Sequence, residues 1–204
     1  MSLRQAGRRL LVSLRLYPLV VFAHHNLGPR GLAAIGKAFL FYFFNCVVTF
    51  FPAYWLRLLY LRYMLRIPVG RGTFIHMGTR FEGDISIGDH SVIGRKCVVM
   101  GSVTIKNNVS ITAETYIFTT SHLANDPDFR CYYTSVLIED YAWIGARAMI
   151  NPGVTIGKGA ILGSTSLATK SIPDYEIFAG IPARRIGVRT KDLRYVLNYR
   201  PFFQ

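Results

Sequence analysis

The 204-residue chain is expected to be mainly β, a three-sided parallel β-coil of six-residue repeats preceded by a helical region. Two observations predict this. An apolar residue recurs at every sixth position: Val69, Ile75, Phe81, Ile87, Ile93, Val99, Ile105, Ile111 and Ile117, then Ile138, Ile144, Ile150, Ile156 and Leu162. Four places later stands a mostly small or β-branched residue, among them Thr73, Thr79, Ser91, Cys97, Thr115, Ser121, Ala142, Ala148 and Ser166. Neither a helix (period about 3.6) nor a half-buried strand (period about 2) keeps a beat of six. A fixed short period means a solenoid whose units bury their apolar face only by stacking on neighbours. Glycine follows the apolar residue at Gly70, Gly88, Gly94, Gly145, Gly157 and Gly163, which reads as the permissive backbone of a corner.

Residues 1–66 form the first region, basic and apolar. Residues 1–81 hold ten arginines and Lys37 and no acidic residue, so most of the net charge of +13 sits there. Nucleic acid would explain charge alone, but not Ala38–Leu56, which has no charged residue and only Asn45, Thr49 and Pro52 to break its apolar character. Such a run between arginine-rich flanks points to an anionic membrane surface, and nucleic acid is not expected. Leu3, Leu10, Leu14, Tyr17 and Val21 fall at helical spacing, with Arg4, Arg8 and Arg15 on another side. As a straight helix Ala38–Leu56 would reach about 28 Å, marginal for a hydrocarbon core of about 30 Å, and Pro52 argues for a kink. The expectation is a re-entrant or surface-lying helical pair, peripheral or monotopic on the cytoplasmic face. The alternative is that these helices pack on the coil or on another subunit. Arg15 interrupts the first apolar stretch and no small-residue cleavage site follows, so no secretory signal is expected. Cys46, Cys97 and Cys131 have unrelated spacings that give neither a disulfide framework nor a zinc pattern.

Residues 67–187 form the coil. From Ile117 to Ile138 the register gains three residues over a whole number of hexads, so a loop is expected at 123–137. Loops inserted at solenoid corners commonly form binding faces. A tail of mixed basic and aromatic residues, 188–204, has no assignable pattern.

The strings IGDHSVIG, VTIKNNVSI, AWIGARAMINPGVTIGKGAILGSTSLATKSIPDY and AGIPARRIG resemble the hexapeptide-repeat acyltransferases, over roughly Val69 to Val188. The branch most resembled contains the bacterial sugar and polysaccharide O-acetyltransferases. The resemblance implies a left-handed parallel β-helix, an exception to the usual right-handed crossover. It also implies a homotrimer with active sites between neighbouring subunits, and acetyl-CoA as donor.

The family carries its histidine where His122 stands, in TTSH before LANDPDF. A sugar hydroxyl needs a base to attack a thioester at neutral pH, and imidazole has the ordinary pKa nearest that task. His122 is therefore the expected catalytic residue. The maltose and galactoside branch gives this histidine an asparagine partner upstream, but the matching register position here is Val92. Asn125, Asp126 and Asp128 are candidates to orient the acceptor or the imidazole, or are turn formers beside Pro127. For the donor, the family motif places Trp143, Gly145 and Ala146 along the pantetheine groove and Ser164, Thr169 and Lys170 further along the coenzyme. Arg184 and Arg185 would meet its phosphates. The related γ-class carbonic anhydrases use three histidines, but Ile117 occupies the position such a set needs, and no metal is expected.

The expectation is an O-acetyltransferase acting on a membrane-linked glycan or a bacterial polysaccharide. The alternatives are a non-catalytic trimeric scaffold at the membrane, or an acyltransferase for an amine or a small soluble acceptor.

Overall fold

A computed structural model describes residues 31–199. The amphipathic segment expected at 3–22 lies outside them. Helix α1 (Gly31–Cys46) leads through a short 3₁₀ turn (Val48–Phe50) to α2 (Tyr54–Leu59), which ends in a π turn (Tyr60–Met64). Short strands follow, from Phe74–Ile75 to Arg184–Val188.

The coil has three faces, of seven, five and four strands, visited in that order. Strands pair in parallel one coil apart, as in Phe74 with Val92, Val92 with Ser110, and Val98 with Tyr116. That offset is three hexads, so each hexad supplies one side and one corner. The repeated residues point inward: Phe81, Ile93, Val99, Ile117, Ile138, Ile144, Ile150, Ile156 and Leu162 are all fully buried. Burying one such side chain stabilises by about 1.5–3 kcal/mol, and the unbroken stack is the core. Cys97 is fully buried at its corner, and burial pushes its thiol up to about 11.

The reading of the corner glycines needs correction. The left-handed corner conformation is carried by other residues, among them His90, Lys96, Asn108, Glu114, Tyr141, Arg147 and Thr165, with φ between 53° and 62°. The repeated glycines serve close approach. A Cβ on Gly145 would lie 2.3 Å from the Ser164 nitrogen, and one on Gly94 would lie 2.4 Å from that of Ala113. These positions are glycine because the next coil passes directly over them.

The helical region caps the open end of the coil. Phe41, Phe44, Val48, Leu61, Leu65 and Ile67 join the coil core. Polar side chains complete the exposed strand edges. The Asn45 amide donates to the Phe81 carbonyl (2.8 Å) and accepts from its N–H (3.0 Å), standing in for a strand. The Thr49 hydroxyl donates to Thr79 O, and buried Arg57 donates to Ile75 O at 3.0 Å and to Phe51 O. Arg62 donates to Val69 O at 2.7 Å and to Gly70 O. An unpaired sheet edge is a template for aggregation, and this cap removes it. Two of the arginines counted toward a cationic surface are thus spent inside the molecule.

The C-terminal tail straps one corner of the coil. Arg189 donates to Tyr141 O (2.9 Å) and Leu197 N–H to Asn108 Oδ1 (3.2 Å), while Tyr199 reaches Phe74 and His76.

Candidate functional site

The excursion from the coil begins earlier than the register of hexads places it. Strand Tyr116–Phe118 is the last before it, and strand Ser135–Ile138 already pairs with Ser102–Ile105. The loop therefore spans 119–134 rather than 123–137, and Ser121 is not a coil corner. Its arms, Thr120–His122 and Cys131–Tyr133, pair antiparallel, with His122 opposite Cys131. Asp126–Pro127 lies at the centre, where proline fixes φ and aspartate bonds its own backbone two residues on. The Asp128 N–H donates to Asp126 Oδ1 at 2.9 Å.

His122 is exposed and held by its loop. Its ring stacks on Phe129, with centroids 4.0 Å apart and planes 11° from parallel. Its Nδ1 lies 2.8 Å from the Phe129 carbonyl oxygen. A carbonyl can only accept, so Nδ1 carries a proton, and in the neutral ring the lone pair is on Nε2. Phe129 aims that carbonyl from a left-handed conformation, φ 49°, unusual for a bulky residue. The Cys131 sulfur sits 3.4 Å from Nδ1 and 3.5 Å from Nε2.

Asp126 accepts from Arg130 Nε at 2.6 Å as well as from the Asp128 N–H, and those bonds hold its carboxyl below the ordinary carboxylate range. Its oxygens are spent on bracing the hairpin, so of its two sequence readings the turn former fits. Asn125 and Asp128 are exposed near the tip. Sequence reasoning missed Phe129, Arg130 and Cys131. The signal was present, since a turn centred on Asp126–Pro127 places residue 131 across from residue 122.

The donor residues lie elsewhere on the coil. Gly145 and Ala146 occupy the corner between the seven- and five-stranded faces, and Ser164 stacks above them. Trp143 stands exposed on the seven-stranded face below Ile161. Among the described residues the Ala146 and Ser164 N–H groups donate to no acceptor, so this corner presents two outward donors for a carbonyl oxygen. Thr169 and Lys170 are exposed at the corner between the five- and four-stranded faces, the one from which the His122 hairpin departs. Arg184 and Arg185 are exposed on the last strand, where Arg185 pairs with Glu176 at 3.0 Å. Within one chain, then, the width of the five-stranded face separates the corner of the His122 hairpin from that of Ala146. Among the described residues no group of three or more His, Cys, Asp or Glu could hold a metal ion.

Comparisons with known proteins agree with the fold. The family model "Bacterial transferase hexapeptide (six repeats)" matches residues 135–168, and "Hexapeptide repeat of succinyl-transferase" matches 84–118. The galactoside O-acetyltransferase of Escherichia coli is 31% identical over 128 residues, 61% of this chain and 59% of that protein. The match thus spans less than two thirds of that relative. A hexapeptide-repeat-containing acetyltransferase from Vibrio cholerae superposes with a TM-score of 0.66 at 25% identity, over 76% of this chain and 89% of that one. The N-acyltransferase AntD from Bacillus cereus, solved with dTDP and 3-hydroxybutyryl-CoA, shares the fold at 22% identity. Its TM-score is 0.58, over 61% of this chain and 73% of that one. By its repeat, its three-faced coil and these matches, the chain belongs to the hexapeptide-repeat acyltransferase family.

Proposed function

We propose that the protein transfers acetyl from acetyl-CoA to a hydroxyl of a membrane-linked glycan or nascent polysaccharide, with His122 as general base. The observation that carries this is the bond from Nδ1–H to the Phe129 carbonyl, which makes Nε2, beside the Cys131 sulfur, the accepting nitrogen on an exposed hairpin. Nε2 takes the hydroxyl proton as the oxygen attacks the thioester carbonyl. The carbon–sulfur bond then breaks, and the imidazolium returns the proton to the departing thiolate. The Ala146 and Ser164 N–H groups suit a carbonyl oxygen of the bound donor. His122 and this corner lie apart within one chain, which favours a homotrimer in which one subunit's hairpin serves its neighbour's donor corner.

The location rests on the cap. Ile35, Phe39, Phe43 and Val47 form an exposed stripe along α1, joined by Phe50, Phe51 and Trp55. Ala33–Phe50 is long and apolar enough to cross a membrane. The opposite side of α1 buries Phe41 and Phe44 in the coil core, and Asn45 is bonded to Phe81. Lipid cannot surround a helix so engaged, and a monotopic seat on the cytoplasmic face fits.

The test is to supply acetyl-labelled CoA to membranes holding the wild type or His122→Ala and to follow label into the glycan fraction. His122-dependent label is expected, with about 10²–10⁴-fold loss in the variant. Equal label with both forms would end the proposal.

A further inference from the structure

The five-stranded face, which runs between the corner of the His122 hairpin and that of Ala146, carries a cavity at its cap end. Alternate side chains of a strand point the same way, and in strand Arg80–Glu82 it is Phe81 that turns inward and is fully buried. Arg80 and Glu82 therefore point outward, beside Val98 and Met100 of the strand that pairs with theirs. Helix α1 covers this patch with Phe41, Tyr42 and Asn45, and a cavity of about 290 Å³ lies between them.

Three features say what this cavity suits. Its walls are mostly apolar, but the Arg80 and Glu82 side chains have no hydrogen-bond or ion partner among the described residues, not even each other. Glu82 is half-buried, and burial pushes its carboxyl above the ordinary range. Its oxygens are not fully buried, so a ligand can reach them. A charge drawn partly out of water is ordinarily paired, and here the pairing is left to a ligand. Second, the charges balance. An anion would be repelled by Glu82 and a cation by Arg80, whereas a neutral hydroxyl can donate to the carboxylate and accept from the guanidinium. Apolar walls with a few polar groups among them suit a sugar ring, and the size admits one residue rather than a chain. Third, the cavity leads to the hairpin. Met100 pairs with Phe118 in the next coil and Val98 with Tyr116, and those two outward rings stack with centroids 6.2 Å apart. The hairpin starts at the following residue, Thr119, about 10 Å or two strand spacings from the strand of Glu82.

We propose that this cavity holds one sugar residue of the acceptor, with Glu82 accepting from its hydroxyls, Arg80 donating to them, and Phe41 and Met100 against its C–H face. The glycan then passes over Tyr116 and Phe118 to reach His122. The inference rests on the acetyltransferase reading and gives its acceptor a subsite away from the transferred acetyl group. One wall of the cavity is α1, whose other side carries the exposed apolar stripe, so the sugar held here is the one nearer the membrane.

The test follows the Met100 methyl by NMR in the full chain, with methionine methyls labelled, while methyl glycosides of glucose, galactose, mannose and N-acetylglucosamine are titrated. A saturable Met100 shift is expected with at least one of them, while Met64 and Met77, which line other cavities, stay still. Glu82→Gln or Arg80→Gln should weaken that binding about tenfold, because a charged hydrogen-bond partner is lost. In the transfer assay Glu82→Gln should raise the KM for the acceptor about tenfold and leave kcat and the KM for CoA unchanged, since a remote subsite holds ground and transition states alike. No Met100 shift with any glycoside, or one that ignores both variants while they melt like the wild type, overturns the site. CoA or a short fatty acid moving Met100 as strongly would give the cavity to the donor or to lipid. A shift that follows protein dilution rather than glycoside would make it a contact between subunits. Each of these overturns the acceptor assignment. His122→Ala separates the two readings, because it should retain the Met100 shift while losing label transfer. His122-dependent transfer without any shift removes this inference alone, and a shift without transfer removes the enzymatic reading.

Discussion

In the coil, each buried isoleucine lies over the equivalent residue of the coil below, whereas the 119–134 hairpin has no such neighbours and both its arms are mostly exposed. One region is ordered by repetition and the other by a few local bonds around Asp126 and Phe129. The contrast separates stability from chemistry. Damage to the coil should unfold the protein, and damage to the hairpin should spoil the base while the coil stays intact.

The largest stability effect is expected in the coil. Ile117→Ala empties a fully buried position next to the hairpin's departure point and should cost about 2–5 kcal/mol in denaturant unfolding. If it cost no more than a surface change, the stacked core would not be the source of stability.

Gly145→Ala comes next, since the added methyl must push Ser164 away and should destabilise by about 1–3 kcal/mol. The same shift disturbs the two outward N–H donors, so CoA affinity, read by calorimetry, should fall with it. An unchanged CoA affinity would remove this corner from the donor site.

The smallest stability effect belongs to Asp126→Asn. It removes the ion pair with Arg130 and loosens the turn that aims the Phe129 carbonyl. We expect roughly tenfold lower turnover with an unchanged melting temperature, because a misplaced base loses its alignment while the coil is untouched. An unaltered rate would show that the brace does not position His122. The acid dependence has a definite sign. The Asp126 carboxyl is held below its ordinary value, chiefly by the Arg130 hydrogen bond, so the brace is complete above the ordinary carboxylate pKa. It is lost as pH falls through the depressed value, and the Arg130 Nε–H signal should broaden only in that acid window. Broadening near neutrality would contradict it.

The same contrast explains what could be read in the sequence. A repeat prints its inward residue at each turn, so the coil and its three sides were legible from Val69 to Leu162. His122 was singled out by its motif, and the hairpin that carries it came from the structure. The glycines misled because one residue type serves two purposes, and only stacking distances distinguish close approach from a left-handed turn. The loop boundary slipped by a few residues because Ser121 still fits the hexad pattern after the chain has left the coil.

By itself the sequence determined the period, the coil, the place where it is interrupted, and an apolar basic region before it. Each is a property of neighbours along the chain, written in spacing. The tertiary structure decided which of those apolar and basic residues are consumed internally. Asn45 meets Phe81 across 36 residues and Arg57 meets Ile75 across 18, while the tail's Leu197 meets Asn108 across 89. It also decided that His122 faces Phe129 and Cys131. Such partners are chosen by unpaired edges and buried polar atoms brought together in space, and no local spacing encodes them.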